Sequence, residues 1–303
     1  MKKILLTLVL SIYAIALDIP SNHLVDTNWL EKNIDNDKLI IIDTRKNKEY
    51  LQGHLKGAVN YPKSSWFKGK VGNIPKYYNT PEQFQEMFSK AGVTENSVVV
   101  FYSAGVNKKD FADATGAFYT AWIYGFRNAV ILNGGYAKWT SEKKSTTKDI
   151  ESVVQSDYEV ESFNPTAIAN LNDVLSAQYN DDIQIADSRT SKFYTGEVGR
   201  KDLARKGRIP TAKLTPMIRY SKKVGDYFEI VSKDEASKIL NNNDYGLDLE
   251  KAAIFYCNTA HKARGLWFVS KFVIGMDEVK VYESSMVEYT RTLLPMEQGE
   301  SMD

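Results

Sequence analysis

The sequence has very little cysteine: Cys257 is the only one in 303 residues. A chain with one cysteine cannot form an intramolecular disulfide, and it cannot build a cysteine-rich metal site. Any sulfur chemistry must therefore belong to a single thiol. The alternative is that Cys257 is only a small buried apolar side chain, which is the commonest role of a lone cysteine.

The sequence also lacks an excess of charge of either sign. Its 39 lysine and arginine residues nearly balance its 38 aspartate and glutamate residues, and no long block of like charge occurs. We therefore expect neither a nucleic acid nor an anionic membrane surface as a partner. A charged substrate would have to be bound by a local group of side chains.

Long apolar segments are absent, apart from a short one at the start. Lys2 and Lys3 precede an apolar run over residues 4–12, and residues 14–16 are Ala-Ile-Ala, a small-residue cleavage pattern. The run is too short to span a bilayer. The pattern predicts a signal peptide over residues 1–16, and the alternative is a buried N-terminal helix. We expect an exported protein of the bacterial periplasm, with no membrane contact after cleavage.

The two halves of the sequence follow one template. In each half, an apolar run that favours β-structure is followed by a helical pattern and then by another apolar run. Such alternation predicts α/β domains, each a small parallel sheet with helices on both faces. The matched segments are Ile41–Arg45 with Ile185–Arg189, Gly53–Ala58 with Gly207–Ala212, Val98–Tyr102 with Ala252–Tyr256, and the helical patterns Ala112–Ile123 with Arg264–Phe272.

This comparison also divides the chain. We predict a first domain over residues 17–140, a polar linker with little periodicity over 141–156, and a second domain over 157–303. The second half carries a charged insertion, residues 198–205, which we expect to be a surface loop.

These motifs resemble the tandem rhodanese-like sulfurtransferases, over nearly the whole mature chain. The resemblance implies two rhodanese-like domains, of which the first is inactive and the second is catalytic. The sequence agrees, because Ser103 occupies in the first half the place of Cys257 in the second. The motifs that carry the resemblance are Ile42–Arg45, Glu49–Ala58 and Leu132–Trp139 in the first half, and Asp187–Arg189, Gly207–Pro210 and the strand ending at Cys257 in the second.

The resemblance implies that Cys257 is a catalytic nucleophile that accepts sulfur as a persulfide. Cys257 lies between a predicted strand and a predicted helix, where loop amides and a helix N-terminus can face an anion. Cationic side chains nearby would favour the thiolate and bind an anionic substrate. We expect Asp43, Asp187 and His54 to be framework residues, and we assign His261 no acid or base role. The residues expected to contact the substrate are Arg189, Asn258, Thr259, Ala260, His261, Lys262 and Arg264.

The sequence departs from the family pattern at a few positions. The catalytic loop of the family often has glycine at its fourth position and arginine at its sixth, where this chain has Ala260 and Lys262. Ser284 and Ser285 replace framework glycines of the second half, and Arg208 replaces a histidine. These changes bear on the rate of catalysis more than on the fold.

The predicted reaction moves sulfur from thiosulfate to cyanide, a small thiol or a protein thiol, without a metal or organic cofactor. 3-Mercaptopyruvate and polysulfide remain alternative donors, although the cationic loop favours thiosulfate. Phosphatase chemistry would need an arginine six positions after the cysteine, where this chain has Ala263. A noncatalytic module for sulfide carriage or partner docking is the alternative from another class.

The signal-peptide hypothesis predicts that the mature chain begins at Leu17, because the small-residue pattern ends at Ala16. N-terminal sequencing of protein recovered outside the cytoplasm tests this expectation. A full-length N-terminus on the exported protein would contradict it.

Overall fold

The computed structural model describes residues 17–241 and 246–299, and the predicted signal peptide lies outside these ranges. The elements of the first half are β1 (Leu24–Val25), α1 (Thr27–Asn33), β2 (Leu39–Asp43), α2 (Asn47–Tyr50), β3 (Ala58–Asn60), β4 (Gly69–Val71), β5 (Ile74–Tyr77), α3 (Pro81–Lys90), β6 (Val98–Tyr102), α4 (Phe111–Ile123), β7 (Ala129–Leu132) and α5 (Gly135–Ser141).

The elements of the second half repeat the same series. They are β8 (Ile168–Ala169), α6 (Leu171–Ala177), β9 (Ile183–Asp187), α7 (Ser191–Tyr194), β10 (Lys213–Leu214), β11 (Ser221–Val224), β12 (Tyr227–Ile230), α8 (Lys233–Leu240), β13 (Ala252–Tyr256), α9 (His261–Phe268), β14 (Val279–Tyr282) and α10 (Ser285–Tyr289). Short 3₁₀ helices cover Lys63–Ser65, Pro165–Ala167 and Met217–Tyr220, and a π-helical segment, Val269–Ile274, continues α9. Within the described ranges, no helix has the length and apolar character needed to cross a bilayer.

Each half forms one five-stranded parallel sheet. The strand order is β1-β7-β6-β2-β3 in the first half and, read from the corresponding edge, β8-β14-β13-β9-β10 in the second. The two orders are identical once the elements are matched along the chain. Central strands β6 and β13 are apolar and almost completely buried, as expected for parallel strands covered on both faces. The predicted α/β fold with two tandem domains is therefore confirmed.

A buried arginine–aspartate pair lies beside the central strand of each half. In the second half, Arg189 Nη2 lies 2.6 Å from Asp187 Oδ2 and donates to the carbonyl of Gly207 at 2.8 Å. The hydroxyl of Tyr256 donates to the same carboxylate at 2.9 Å. These bonds tie the ends of β9 and β13 to the following loop. The corresponding residues of the first half are Arg45, Asp43, Gly53 and Tyr102.

The histidine of the first half and the arginine that replaces it in the second pack in the same way. His54 stacks on Tyr50 with the ring centroids 3.8 Å apart. In the second half, the Arg208 guanidinium lies 4.3 Å from the centre of the Tyr194 ring. A cation–π contact thus takes the place of an aromatic stack, which explains how the framework accepts this substitution.

A β-hairpin from each half lies against the other half. The hairpin β11–β12 reaches the first half, where the amide of Phe228 donates to the carbonyl of Gly105 at 2.7 Å, in the loop after β6. The hairpin β4–β5 reaches the second half, where Lys76 faces the loop after β13. Each hairpin therefore covers the loop that follows the central strand of the opposite domain.

The two domains share one apolar core. Helices α4 and α9 pack against each other between the sheets, and the ring of Phe118 meets that of Phe268 at 5.0 Å between centroids. Tyr119 and Trp267 form a second edge-to-face pair at 4.9 Å. Such pairs add to the energy gained from burial. A single cluster of buried side chains therefore runs through both halves.

The polar segment after α5 follows the surface of the first half. Thr147 pairs with His54 in an isolated bridge, and the ring of Tyr158 packs against that of Phe88 with the centroids 5.1 Å apart. The amide of Asn164 then donates to a carbonyl at the end of α4. The contacts of the predicted linker with the first domain therefore extend beyond residue 156.

The shared core predicts that the two halves unfold together. Phe268 is fully buried at the interface, so Phe268→Ala should lower the free energy of unfolding by about 3–5 kcal/mol. Phe163→Ala is the control, because Phe163 is 48% exposed and should cost much less. Denaturant unfolding followed by circular dichroism measures both. Two separate transitions, with only one of them shifted by Phe268→Ala, would contradict a shared core.

Candidate functional site

Cys257 lies in the loop between β13 and α9, at the centre of the second sheet. Its side chain is almost fully buried, with 3% exposure. The chain turns into α9 at Ala260, which has a left-handed backbone conformation with φ 58°. An L-residue in this region costs about 1–2 kcal/mol, so the loop needs other contacts to hold it.

Ser285, at the start of α10, supplies those contacts. Its hydroxyl accepts hydrogen bonds from the amides of Cys257 at 3.2 Å and Ala260 at 3.1 Å. The same hydroxyl donates to the carbonyl of Tyr282 at 2.8 Å. Ser285 itself has φ 49°, another left-handed conformation. Ala260 and Ser285 both stand where the family pattern has glycine, and the hydrogen bond between them ties the loop to α10.

Several other amides of the loop remain available to a ligand. Helix α9 begins without a side-chain cap, so the amides of its first turn are not used by the helix. In the described ranges, hydrogen-bond partners are lacking for the amides of Asn258, Thr259, Lys262 and Ala263. Such amides at a helix start favour an anion.

The thiol faces a cavity of about 370 Å³ between the two domains. Every charged side chain that lines this cavity is cationic, and four of the lining residues come from the first half. The cavity is therefore a composite of both domains and favours a small anion. Its lining residues are Lys63, Ser64, Phe67, Lys76, Arg200, Cys257, Asn258, Thr259, His261, Lys262 and Arg264.

The cations of the cavity differ in how far their charge is already neutralised. Arg264 is buried and forms a two-point ion pair with the buried Glu283, while its guanidinium lies 3.9 Å from the Phe67 ring centre. Arg200 pairs with Asp202. Lys262 has no ion pair with any described residue, so its charge remains available to a ligand.

Arg189 lies beneath the loop. The residue is 1% exposed, and its guanidinium donates to Asp187 and to the Gly207 carbonyl, while Nη1 donates to Asn258 Oδ1 at 3.3 Å. Burial opposes the charge of Arg189, but the Asp187 carboxylate raises the pKa of the guanidinium above its ordinary value. The sequence predicts substrate contact for this arginine, whereas the structure gives it contacts that support the loop.

His261 joins the second half to the first. Its Nε2 lies 2.8 Å from Asp113 Oδ1 on α4, and its Nδ1 lies 3.0 Å from the Lys63 ammonium nitrogen. A lysine ammonium group can only donate, so Nδ1 accepts and Nε2 carries the proton that is donated to Asp113. Burial lowers the pKa of His261, which agrees with a neutral imidazole in this position.

The structure brings most of the predicted site residues together. Cys257, Asn258, Thr259, His261, Lys262 and Arg264 line the cavity, Ala260 is buried at the start of α9, and Arg189 is beneath the loop. Sequence reasoning missed the contribution of the first half and of the charged insertion. The missed lining residues are Lys63, Ser64, Phe67, Lys76 and Arg200.

Ser103, the counterpart of Cys257, lies in a loop with different chemistry. Like Cys257, it directly follows the central strand, but the loop to the next helix is longer. Within that loop, Asp110 Oδ2 accepts hydrogen bonds from the amides of Val106 at 3.0 Å and Asn107 at 2.9 Å. A carboxylate thus uses the loop amides of the first half, which disfavours binding of another anion there.

Comparison with known proteins gives matches along most of the chain. The family model described as rhodanese-like domain matches residues 26–142, the half that contains Ser103. A Synechococcus elongatus protein provisionally named as a thiosulfate sulfurtransferase is 27% identical, over 91% of this chain and 85% of its own length. The sulfur carrier protein TtuD of Thermus thermophilus is 25% identical, over 91% of this chain and 97% of its own length.

A solved structure shows the same fold. SseA from Escherichia coli, described as a 3-mercaptopyruvate sulfotransferase with the rhodanese fold, superposes with a TM-score of 0.74 and 24% identity. The match covers 87% of this chain and 98% of SseA. Residues 26–142 are therefore similar to the rhodanese-like domain, and the chain as a whole has the fold described for SseA.

Proposed function

We propose that the protein is a thiosulfate sulfurtransferase whose nucleophile is the Cys257 thiolate. The observation that carries this proposal is the thiol's position at a cavity whose charged lining side chains are all cationic. Such a cavity attracts a small dianion, and the uncommitted loop amides can stabilise anionic sulfur. Relatives provisionally named as thiosulfate sulfurtransferases support the same donor.

In the first half-reaction, the Cys257 thiolate attacks the outer sulfur of thiosulfate. A bond forms between the two sulfur atoms, and the bond between the outer sulfur and the sulfonate group breaks. The bonding electron pair leaves with sulfite, and an anionic persulfide remains on Cys257. The total charge of −3 is unchanged, so no proton needs to move.

In the second half-reaction, an acceptor removes the outer sulfur. Cyanide attacks that atom, thiocyanate leaves, and the electron pair of the broken sulfur–sulfur bond returns to Cys257 as thiolate. A small thiol or a protein thiol can attack in the same way. Neither step calls for a metal or an organic cofactor.

Two other anionic donors, 3-mercaptopyruvate and polysulfide, can react through the same persulfide. The cations in the cavity favour the more highly charged thiosulfate over 3-mercaptopyruvate, which carries one carboxylate. Rates of persulfide formation with the three donors rank them directly.

A sulfur carrier is the second candidate function. It would hold the same Cys257 persulfide but pass it to a partner protein thiol, and a relative named as a sulfur carrier protein favours this possibility. Repeated turnover with cyanide separates the two functions, because a carrier would take up one sulfur and transfer it poorly to a small acceptor.

We also propose that the protein is exported to the bacterial periplasm. The support is the signal-peptide pattern of residues 1–16, which lie outside the described ranges. A thiosulfate donor and a diffusible acceptor would both be accessible to an exported enzyme.

The persulfide mechanism predicts that Cys257→Ser abolishes sulfur transfer without loss of the fold. The serine is almost isosteric, but its hydroxyl does not ionise near neutral pH. Intact-mass measurement after incubation with thiosulfate should show one added sulfur on the wild type and none on the variant. Cyanide should remove that sulfur from the wild type.

Ser103→Ala is the matched control for this variant, since Ser103 is the equivalent residue of the first half. It should retain the wild-type mass gain and turnover. A wild-type protein that gains no sulfur from thiosulfate, polysulfide or 3-mercaptopyruvate would overturn the enzyme proposal.

The unpaired charge of Lys262 predicts a donor-dependent effect. Lys262→Met should reduce kcat/KM for thiosulfate by about ten-fold and should reduce it less for polysulfide, whose charge is more spread out. Lys192→Met is the control, because Lys192 is exposed on the same domain and pairs with Glu197. Equal losses with both donors would indicate structural damage in place of charge recognition.

A further inference from the structure

The first half contributes an ammonium group to the site that holds the cysteine. Lys63 begins the short 3₁₀ helix Lys63–Ser65, and its side chain lines the cavity that contains Cys257. It also lines an adjoining cavity of about 530 Å³ on the side of the Ser103 loop. Lys63 therefore stands at the boundary between the two domains, facing the space where a donor would enter.

Protein contacts use only part of the hydrogen-bonding capacity of the Lys63 ammonium group. One of its three donors is directed at His261 Nδ1, 3.0 Å away. The Asp113 carboxylate lies farther off, at 3.5 Å, and already accepts the closer bond from His261. The Lys63 side chain remains 44% exposed. At least one ammonium donor is thus left for a ligand in the cavity.

The surrounding charges hold this lysine in place. Burial would raise the pKa of Asp113, but His261 and Lys63 keep it below its ordinary value, so the carboxylate is ionised. The imidazole bridges the carboxylate and the ammonium group, which fixes the direction of the lysine side chain. Lys63 also lies within ion-pair distance of Asp113, at 3.5 Å, so the imidazole and the carboxylate both orient its ammonium nitrogen. The lysine held by these two contacts lines the cavity that contains Cys257.

We propose that Lys63 binds the anionic sulfonate end of the sulfur donor, and that His261 and Asp113 are positioning residues that hold its ammonium group there. This proposal rests on the proposed sulfurtransferase function. Lys262, which lines the same two cavities, supplies a second ammonium group from the other domain. A dianion bound between them would be held by both halves of the chain.

The charge of the donor predicts which kinetic constant a substitution of Lys63 would change. The sulfonate group of thiosulfate is anionic before the sulfur–sulfur bond breaks and leaves as sulfite, which is anionic too. Lys63 would therefore stabilise the bound donor, the transition state and the product to similar extents. Loss of such uniform binding raises KM and leaves kcat nearly unchanged.

The test compares Lys63→Met, Lys63→Arg and the control Lys56→Met in the full-length protein. Lys56 is an exposed lysine of the same domain that pairs with Asp35 away from the cavity. Lys63→Met should raise the KM for thiosulfate and the inhibition constant of sulfite by about ten-fold each. Lys63→Arg should restore most of the loss, and Lys56→Met should behave as the wild type. The rate of persulfide formation with polysulfide should change less.

The positioning role is tested by Asp113→Asn, alone and combined with Lys63→Met. Asp113→Asn alone should raise the thiosulfate KM. The double variant should be no worse than Lys63→Met, because residues that act through one another give non-additive effects. Additive losses would refute the positioning role. Circular dichroism checks folding, and Asp113→Asn provides the KM comparison should Lys63→Met fold poorly.

Two failures are distinguishable in this experiment. If the wild type forms a persulfide but Lys63→Met leaves the thiosulfate KM and sulfite inhibition unchanged, the assignment of Lys63 is wrong and the sulfurtransferase function stands. If the wild type forms no persulfide with any donor, the proposed function fails and the assignment of Lys63 fails with it.

Discussion

The contact between α4 and α9 is the interaction on which the rest of the molecule depends. Each helix follows the central strand of its own sheet, so packing them together brings the two loops that precede them to one interface. The aromatic pairs formed by Phe118 with Phe268 and by Tyr119 with Trp267 fix the distance between the domains. That distance in turn allows Lys63 and Asp113 to reach His261 at the start of α9. The cavity is therefore a product of domain packing, and neither half contains it alone.

The loop that carries Cys257 illustrates how a strained backbone can be held by a single side chain. Ala260 and Ser285 both have positive φ, in the region where glycine is usual. The Ser285 hydroxyl accepts two loop amides and donates to a strand carbonyl, so it offsets part of the backbone cost. Beneath the loop, Arg189 reaches Asn258 from the opposite side. The loop is thus supported from two directions while the first turn of α9 stays open to an anion.

Much of the fold was accessible from the sequence because the chain is duplicated. Apolar runs such as Val98–Tyr102 and Ala252–Tyr256 have no other plausible place than a central parallel strand, and both are found there. The hairpins were missed, since β4–β5 and β11–β12 are short and their strands are only partly buried. Their signal is the two-residue loops Gly72-Asn73 and Gly225-Asp226, where a glycine with positive φ starts each turn. The positions of Lys63 and Lys76 in the cavity had no sequence signal, because contacts between domains depend on packing that periodicity does not encode.

The reciprocal hairpins make the loop after the central strand of each domain depend on the other domain. Because β4–β5 closes the space above the Cys257 loop and β11–β12 covers the Ser103 loop, each domain serves the other as a lid. The first half, which has Ser103 where the second has Cys257, therefore still supplies part of the wall and of the positive charge of the cavity. Deleting it would expose the apolar interface and remove one wall of the cavity. Substitutions in the first half can thus alter the cavity that contains Cys257 without touching the Ser103 loop, two of whose amides are already bonded to Asp110.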